Sequence, residues 1–186
     1  MNVAIFASGN GSNFQRITEY FADNKDINIA LMVCNNPNAY VFERAKQLNI
    51  PTLLIDKATL KDQNAMLSNL EKYDIEFIIL AGFLWLIPEY LTKRYQGMMV
   101  NIHPALLPKF GGKGMYGMHV HEAVISSQAK ESGITIHYVN KKYDAGQIIA
   151  QIKCTISEGE TAESLAEKIH QLEYEYYPKV LEKIIV

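Results

Sequence analysis

The feature of this chain that most limits its fold is a regular alternation of two apolar patterns. Asn2–Ser8, Ile27–Asn35, Thr52–Asp56, Phe77–Gly82 and Met98–Ile102 are short β-branched runs, most of them apolar throughout. A strand with no polar face must be covered on both sides, which a parallel sheet between helices provides. The intervening segments, Ser12–Ala22, Ala39–Leu48, Leu60–Lys72 and Pro88–Tyr95, carry apolar residues three and four positions apart, the helical period. The sequence therefore predicts an α/β protein: a doubly wound, mostly parallel sheet with helices on both faces. After Ile102 the rhythm changes to a long loop, a helix over His119–Ser127 and two strands close together, Gly133–Val139 and Gln147–Ile156. Their short connection implies a C-terminal antiparallel addition to the sheet. A last helix starts near Thr161, and Pro178 is expected to kink it or end its first part.

Composition narrows the function. With 186 residues, 48% hydrophobic and 20% charged, the chain suits one globular domain rather than a disordered segment. Eighteen Lys and Arg against 20 Asp and Glu leave a net charge of -2, so no overall positive field holds nucleic acid. The longest apolar stretch, Phe77–Ile87, is shorter than the roughly 20 residues that span a bilayer. Met1 leads straight into a strand pattern without a basic leader segment, so a cytoplasmic protein is expected. Cys34 and Cys154 stand far apart in strand-like runs and read as core thiols.

In open α/β sheets ligands bind beyond the carboxyl ends of the strands, so the segments that follow the strands carry the chemistry. The first is Ser8-Gly9-Asn10-Gly11-Ser12-Asn13. Phe14 stands where a dinucleotide fingerprint has its third glycine, and no Gly-Lys-Ser/Thr follows, so neither a dinucleotide loop nor a Walker loop fits. Two readings remain, a phosphate-monoester loop at a helix start or a tight turn capped by Ser12 or Asn13. The second segment is Asn101-Ile102-His103-Pro104. Residues two apart in a strand point the same way, so an amide donor and an imidazole can face one pocket, hold an oxyanion and move a proton. The third is Lys141–Gly146, whose Asp144 alone reads as a solvated turn, although it could raise the pKa of a nearby His103. The fourth, Leu80–Ile87, alone reads as core, although its main chain could hold a flat ring. His119 and His121 lack partners at metal spacing, and His170 reads as a packing residue.

Taken together these residues resemble the phosphoribosylglycinamide formyltransferase family, within the wider formyltransferase superfamily. The resemblance spans the chain and rests on Ser8–Asn13, Leu80-Ala-Gly-Phe83, Asn101–Pro108, Gly133–Val139 and Asp144. It implies one catalytic domain over residues 1–186 that transfers the formyl group of 10-formyltetrahydrofolate to the amine of glycinamide ribonucleotide, without a metal. It also implies residue roles. Gly11, Ser12 and Asn13 hold the phosphate, Glu173 contacts the glycinamide substrate, and Asn101 and His103 hold the oxyanion. Asp144 sets the charge of His103. The folate lies against Leu84, Trp85, Leu86 and Ile87 and against Asn140–Asp144, with Asn101 beside its formyl group and Gln63 at the place of a family arginine. The partners expected are these small molecules, with no nucleic acid or membrane, for a monomer or weak homodimer.

Departures from the family pattern are Leu84-Trp85-Leu86-Ile87, where the family has Met-Arg-Ile-Leu, and the glycine-rich Gly111–Gly117, which is longer than usual. The latter reads as a flap over the transferring group, with Lys113 or Tyr116 touching substrate. Alternative readings are a 10-formyltetrahydrofolate hydrolase or another formyltransferase, whose extra domains are not expected in 186 residues, and a phosphate-binding module without catalysis.

Overall fold

The computed structural model describes residues 1–185. Seven strands form one sheet: β1 (Asn2–Ala7), β2 (Asn28–Cys34), β3 (Thr52–Leu54), β4 (Ile75–Leu80), β5 (Met99–His103), β6 (Glu131–Tyr138) and β7 (Ile148–Thr155). Their spatial order is β3-β2-β1-β4-β5-β6-β7, with the first five parallel and β6 and β7 antiparallel to their neighbours. This is the expected doubly wound sheet with its antiparallel addition.

Side chains of β1 show why both faces must be covered. Val3, Ile5 and Ala7 enter one buried cluster with α1 (Ser12–Tyr20), α2 (Val41–Gln47), α6 (Met118–Ser126) and α7 (Ala162–Ile185). Ala4 and Phe6 enter a second cluster with α3 (Lys57–Lys61), α4 (Gln63–Glu71) and α5 (Glu89–Arg94). Among the described residues no helix is long and apolar enough to cross a membrane.

Three local readings are corrected. The helix expected over Leu60–Lys72 is two helices, because Asp56 and Asp62 each cap a start: their carboxylates accept from the N–H groups of Thr59 at 2.7 Å and Ala65 at 3.0 Å. Of the two outcomes expected at Pro178, an end to the helix does not occur: α7 runs on to Ile185. Proline leaves the carbonyl four residues back without its helical donor, and that carbonyl, of Tyr174, accepts from Arg16 Nε at 3.4 Å. The fifth strand includes His103, whose pairing with Thr135 of β6 extends it past Ile102.

The strand order places the site. From β1 the chain winds outward to β2 and β3, then returns to β4 on the other side of β1. Loops after β1 and β4 thus leave in opposite directions and open a crevice between them. Ser8 ties its two lips: its N–H donates to the Gly82 carbonyl at 3.1 Å and its Oγ accepts from the Leu84 N–H at 3.0 Å.

Candidate active site

A cavity of about 690 Å³ fills this crevice. It brings together Gly11, Ser12, Asn13, Leu84, Asn101, His103, Asp144 and Glu173. The Ser8–Asn13 loop and the start of α1 form one end, and β5 supplies the middle.

Asn101 and His103 both face the cavity, as their two-residue spacing in a strand requires. His103 is buried, with 3% of its surface exposed, and its Nε2 lies 2.7 Å from the Phe110 carbonyl. A carbonyl only accepts, so Nε2 carries a proton and donates to it. The other ring nitrogen, Nδ1, lies 3.5 Å from Asp144 Oδ2. Burial pushes the imidazole below its ordinary value, while the Asp144 charge and the Phe110 carbonyl push it up and His137 pushes it down. The carboxylate thus acts in the expected upward direction, but desolvation outweighs it and His103 rests neutral near pH 7.

Asp144 reaches this position from the β6–β7 loop with a left-handed backbone, φ 49°. Its Oδ2 accepts from the Gly112 N–H at 2.9 Å and its Oδ1 lies 3.5 Å from Asn101 Nδ2. Burial pushes the carboxyl up, but the imidazoles of His137 and His103 and the Gly112 N–H outweigh it and hold the group below the usual carboxylate range. Asp144 is therefore no solvated turn residue.

Three histidines at the site were given no catalytic or binding role by the sequence. His137 pairs with Asn101 across β5 and β6. Its Nδ1 donates to the Tyr138 carbonyl at 2.8 Å, and its Nε2 lies 3.1 Å from Asn101 Nδ2 and 3.7 Å from Asp144 Oδ1, so the ring sits against both groups. The antiparallel register that makes this contact was the missing signal. His170 is not a packing residue: it lines the cavity, with Nδ1 3.0 Å from Glu173 Oε2. The hydrogen bond to Glu173 and that carboxylate's charge raise its pKa against the effect of burial. Its i, i+3 spacing to Glu173 on a helix was legible. His121 also lines the cavity, buried, with Nδ1 unpartnered, and burial followed by the His170 charge lowers its pKa. Glu173, 5% exposed, also accepts from Asn13 Nδ2 at 2.9 Å, so α7 and the first loop meet at this end.

Other expected residues lie away from the cavity wall. Gln63 is exposed at the first turn of α4. Trp85 is half-buried, edge-on to Phe83 and under Lys57 Nζ, which sits 5.7 Å from the ring centroid. Leu86 points to solvent, and Ile87 is in the core beside α5. Asn140 holds the 140–145 turn, accepting from the Lys142 N–H and donating to the Ala145 carbonyl. Lys113 and Tyr116 of the glycine-rich loop do line the cavity. Among the described residues no group of three or more His, Cys, Asp or Glu is placed to hold a metal.

A doubly wound sheet whose carboxyl edge joins a glycine-rich loop at a helix start to an amide, an imidazole and a carboxylate has the architecture of an α/β enzyme. The family model described as formyl transferase matches residues 1–181, and the chain belongs to that family. It is 39% identical over 187 residues to the phosphoribosylglycinamide formyltransferase of Bacillus subtilis, covering 98% of this chain and 93% of that one. It is 40% identical over 185 residues to the chloroplastic phosphoribosylglycinamide formyltransferase of Arabidopsis thaliana, covering 96% of this chain and 63% of the plant protein. The crystal structure of the Bacillus halodurans phosphoribosylglycinamide formyltransferase superposes with a TM-score of 0.89 at 37% identity, over 100% of this chain and 95% of that one. For glycinamide ribonucleotide transformylase 1 of Geobacillus kaustophilus the TM-score is 0.88 at 38% identity, over 100% and 98%.

Proposed function

We propose that this chain transfers the formyl group of 10-formyltetrahydrofolate to the amine of glycinamide ribonucleotide, a step of purine biosynthesis. The observation that carries the reading is the joining, in one cavity, of the Gly11–Asn13 loop at one end with Asn101, His103 and Asp144 in the middle. The likeness to named phosphoribosylglycinamide formyltransferases supports it.

The phosphate is received at the start of α1, where main-chain N–H groups and the helix dipole favour an anion. Glu173 and His170 flank the glycinamide portion of the acceptor. The folate rests on the lip at Leu84, with Trp85, Leu86 and Ile87 shaping that lip through their main chain and Asn140 ordering the opposite turn. Gln63, exposed at the first turn of α4, stands at the place of a family arginine that approaches the folate.

In the reaction the acceptor nitrogen attacks the formyl carbon, the C=O electrons move onto oxygen, and the oxyanion is held by Asn101 and His103. A neutral His103, whose free nitrogen is Nδ1 on the Asp144 side, takes the proton released by the attacking nitrogen through a water and returns it by the same route to N10 of the leaving tetrahydrofolate, so no net proton is consumed. Asp144, ionised at neutral pH, stabilises the imidazolium formed between these transfers. The Phe110 carbonyl occupies His103 Nε2, so the formyl oxygen displaces that contact, and the segment after Phe110 moves as a flap that brings Lys113 or Tyr116 to substrate. Residues 1–186 serve as one catalytic domain, working in the cytoplasm on small molecules as a monomer or weak homodimer.

The test is to incubate the protein with 10-formyltetrahydrofolate, with and without glycinamide ribonucleotide, and follow the deformylated folate. Nucleotide-dependent turnover is expected. Turnover without nucleotide would identify a hydrolase, and no turnover a binding module. Protection of residues 111–117 from protease by the two ligands together is expected if the flap closes; unchanged cleavage rejects it.

A further inference from the structure

The Ser8–Asn13 loop is held from behind by α2. The Val41 N–H donates to the Gly9 carbonyl at 3.2 Å. Gly11 sits against the same residue with φ 76°, and a Cβ there would fall 2.3 Å from Val41 Cγ2. The third contact is Arg44. Its Nε donates to the Asn10 carbonyl at 2.8 Å, its Nη2 to Asn10 Oδ1 at 2.6 Å, and its Nη1 to Gln15 Oε1. The guanidinium lies over the Tyr40 ring, 5.0 Å from its centroid. One planar fork therefore grips both the main chain and the side chain of Asn10, which lines the cavity.

All three of these acceptors are neutral, and among the described residues Arg44 has no carboxylate within ion-pair distance. The nearest link to one runs through Gln15, whose Nε2 donates to Glu19 at 2.7 Å. Glu43 precedes Arg44 on α2 and is exposed. The positive charge is thus left available to the loop rather than neutralised in place. A lysine could keep the charge, but its single ammonium cannot hold two acceptors on one residue in a fixed plane.

We infer that Arg44 is the positioning residue of the anion loop: by gripping both the main chain and the side chain of Asn10, it holds the loop in the conformation that receives a phosphate monoester. This rests on the phosphate-loop reading of the proposed function. Arg44 acts through Asn10 and touches no reacting atom. Its effect is confined to the phosphorylated substrate and does not reach the formyl donor or the chemical step.

Calorimetric titration of the full chain with ribose 5-phosphate, run beside steady-state kinetics, tests this. Arg44→Gln is expected to weaken ribose 5-phosphate by about tenfold or more, the scale of one lost charged hydrogen bond, and to raise the KM for glycinamide ribonucleotide by a similar factor. The kcat and the KM for the formyl donor should move by less than about threefold. Arg44→Lys is expected to lie between wild type and Arg44→Gln. Arg44→Gln combined with Asn10→Ala is expected to be less than additive in binding, because the two residues act as one unit. Wild-type affinity in Arg44→Gln, full restoration by lysine, or a loss shared equally by kcat and the donor KM would overturn the inference. A wild-type protein that binds ribose 5-phosphate without nucleotide-dependent turnover refutes the reaction alone. One that does not bind ribose 5-phosphate refutes the loop and Arg44 together.

Discussion

At the residue scale the site turns on how burial and charge are balanced around one imidazole. Asn101→Ala and His103→Ala are each expected to lower turnover by about 100- to 1000-fold, the loss typical of one oxyanion donor, with circular dichroism unchanged. Near-normal turnover in either variant would refute the mechanism. The pH profile separates the two influences on His103. Burial lowers its pKa and Asp144 raises it. The proton-accepting form is neutral, so activity falls on the acid side as His103 becomes protonated. Asp144→Asn removes the upward pull, so the acid limb of the residual kcat/KM should move to lower pH; a move to higher pH contradicts this assignment. Of these residues, Asn101 and His103 were legible because a two-residue period alone places them on one face. Asp144 was not, since nothing local distinguishes its turn from a solvated one.

At the element scale, two neighbouring pairings of the sheet aim the side chains proposed to be catalytic. β6 sets His137 opposite Asn101 and Thr135 opposite His103. The Thr135 hydroxyl donates to the Ala105 carbonyl at 2.7 Å and accepts from the Leu107 N–H at 3.0 Å, pinning the chain after His103. β6 in turn depends on close approach to β7. At Gly133 an added Cβ would lie 2.0 Å from the Ile152 carbonyl oxygen and 2.8 Å from Leu106. Gly133→Ala is therefore expected to cost about 1–3 kcal/mol, as overpacking does, read as a lower urea midpoint, and to lower kcat by shifting β6 away from Asn101. An unchanged midpoint would show that the strands can separate without strain. The periods of the sequence revealed these strands. The split into α3 and α4 was harder to see, because the run from Leu60 to Lys72 keeps a helical period across Asp62 even though that side chain starts a new helix.

At the scale of the whole molecule, α7 closes the fold. It covers one face of the sheet, contributes Glu173 and His170 to the cavity, and is tied to β4 by the fully buried Tyr177, whose hydroxyl donates to the Leu80 carbonyl at 3.0 Å. Tyr177→Phe leaves that carbonyl without its donor and is expected to lower stability by about 1 kcal/mol in urea titration. A stability equal to wild type would mean that the carbonyl finds another partner. Asp144 links the site to global stability with a definite sign. Its folded pKa is depressed, so the stability it contributes is present above the usual carboxylate range and lost as pH falls through the folded value. The difference in thermal midpoint between wild type and Asp144→Asn should therefore be present at pH 7 and vanish in strong acid. A difference that persists there would mean the residue stabilises by packing instead.

The sequence by itself determined the layered α/β architecture, because runs apolar on both faces can be buried only between helices. It also determined that an amide and an imidazole share one side of β5, because strand geometry is local. Only the tertiary structure decided which distant residues complete the site. Asn13 and Glu173 meet although 160 positions separate them. Asp144 reaches His103 through a loop whose placement follows from antiparallel pairing, and Arg44 reaches the first loop from the next helix along. These contacts arise from how elements pack, and packing depends on the sum of many weak apolar contacts rather than on any spacing along the chain. The charge state of His103 belongs to the same group. A carboxylate nearby suggests a raised pKa, and the burial that reverses the sign exists only once the sheet and its covering loops have closed around the ring.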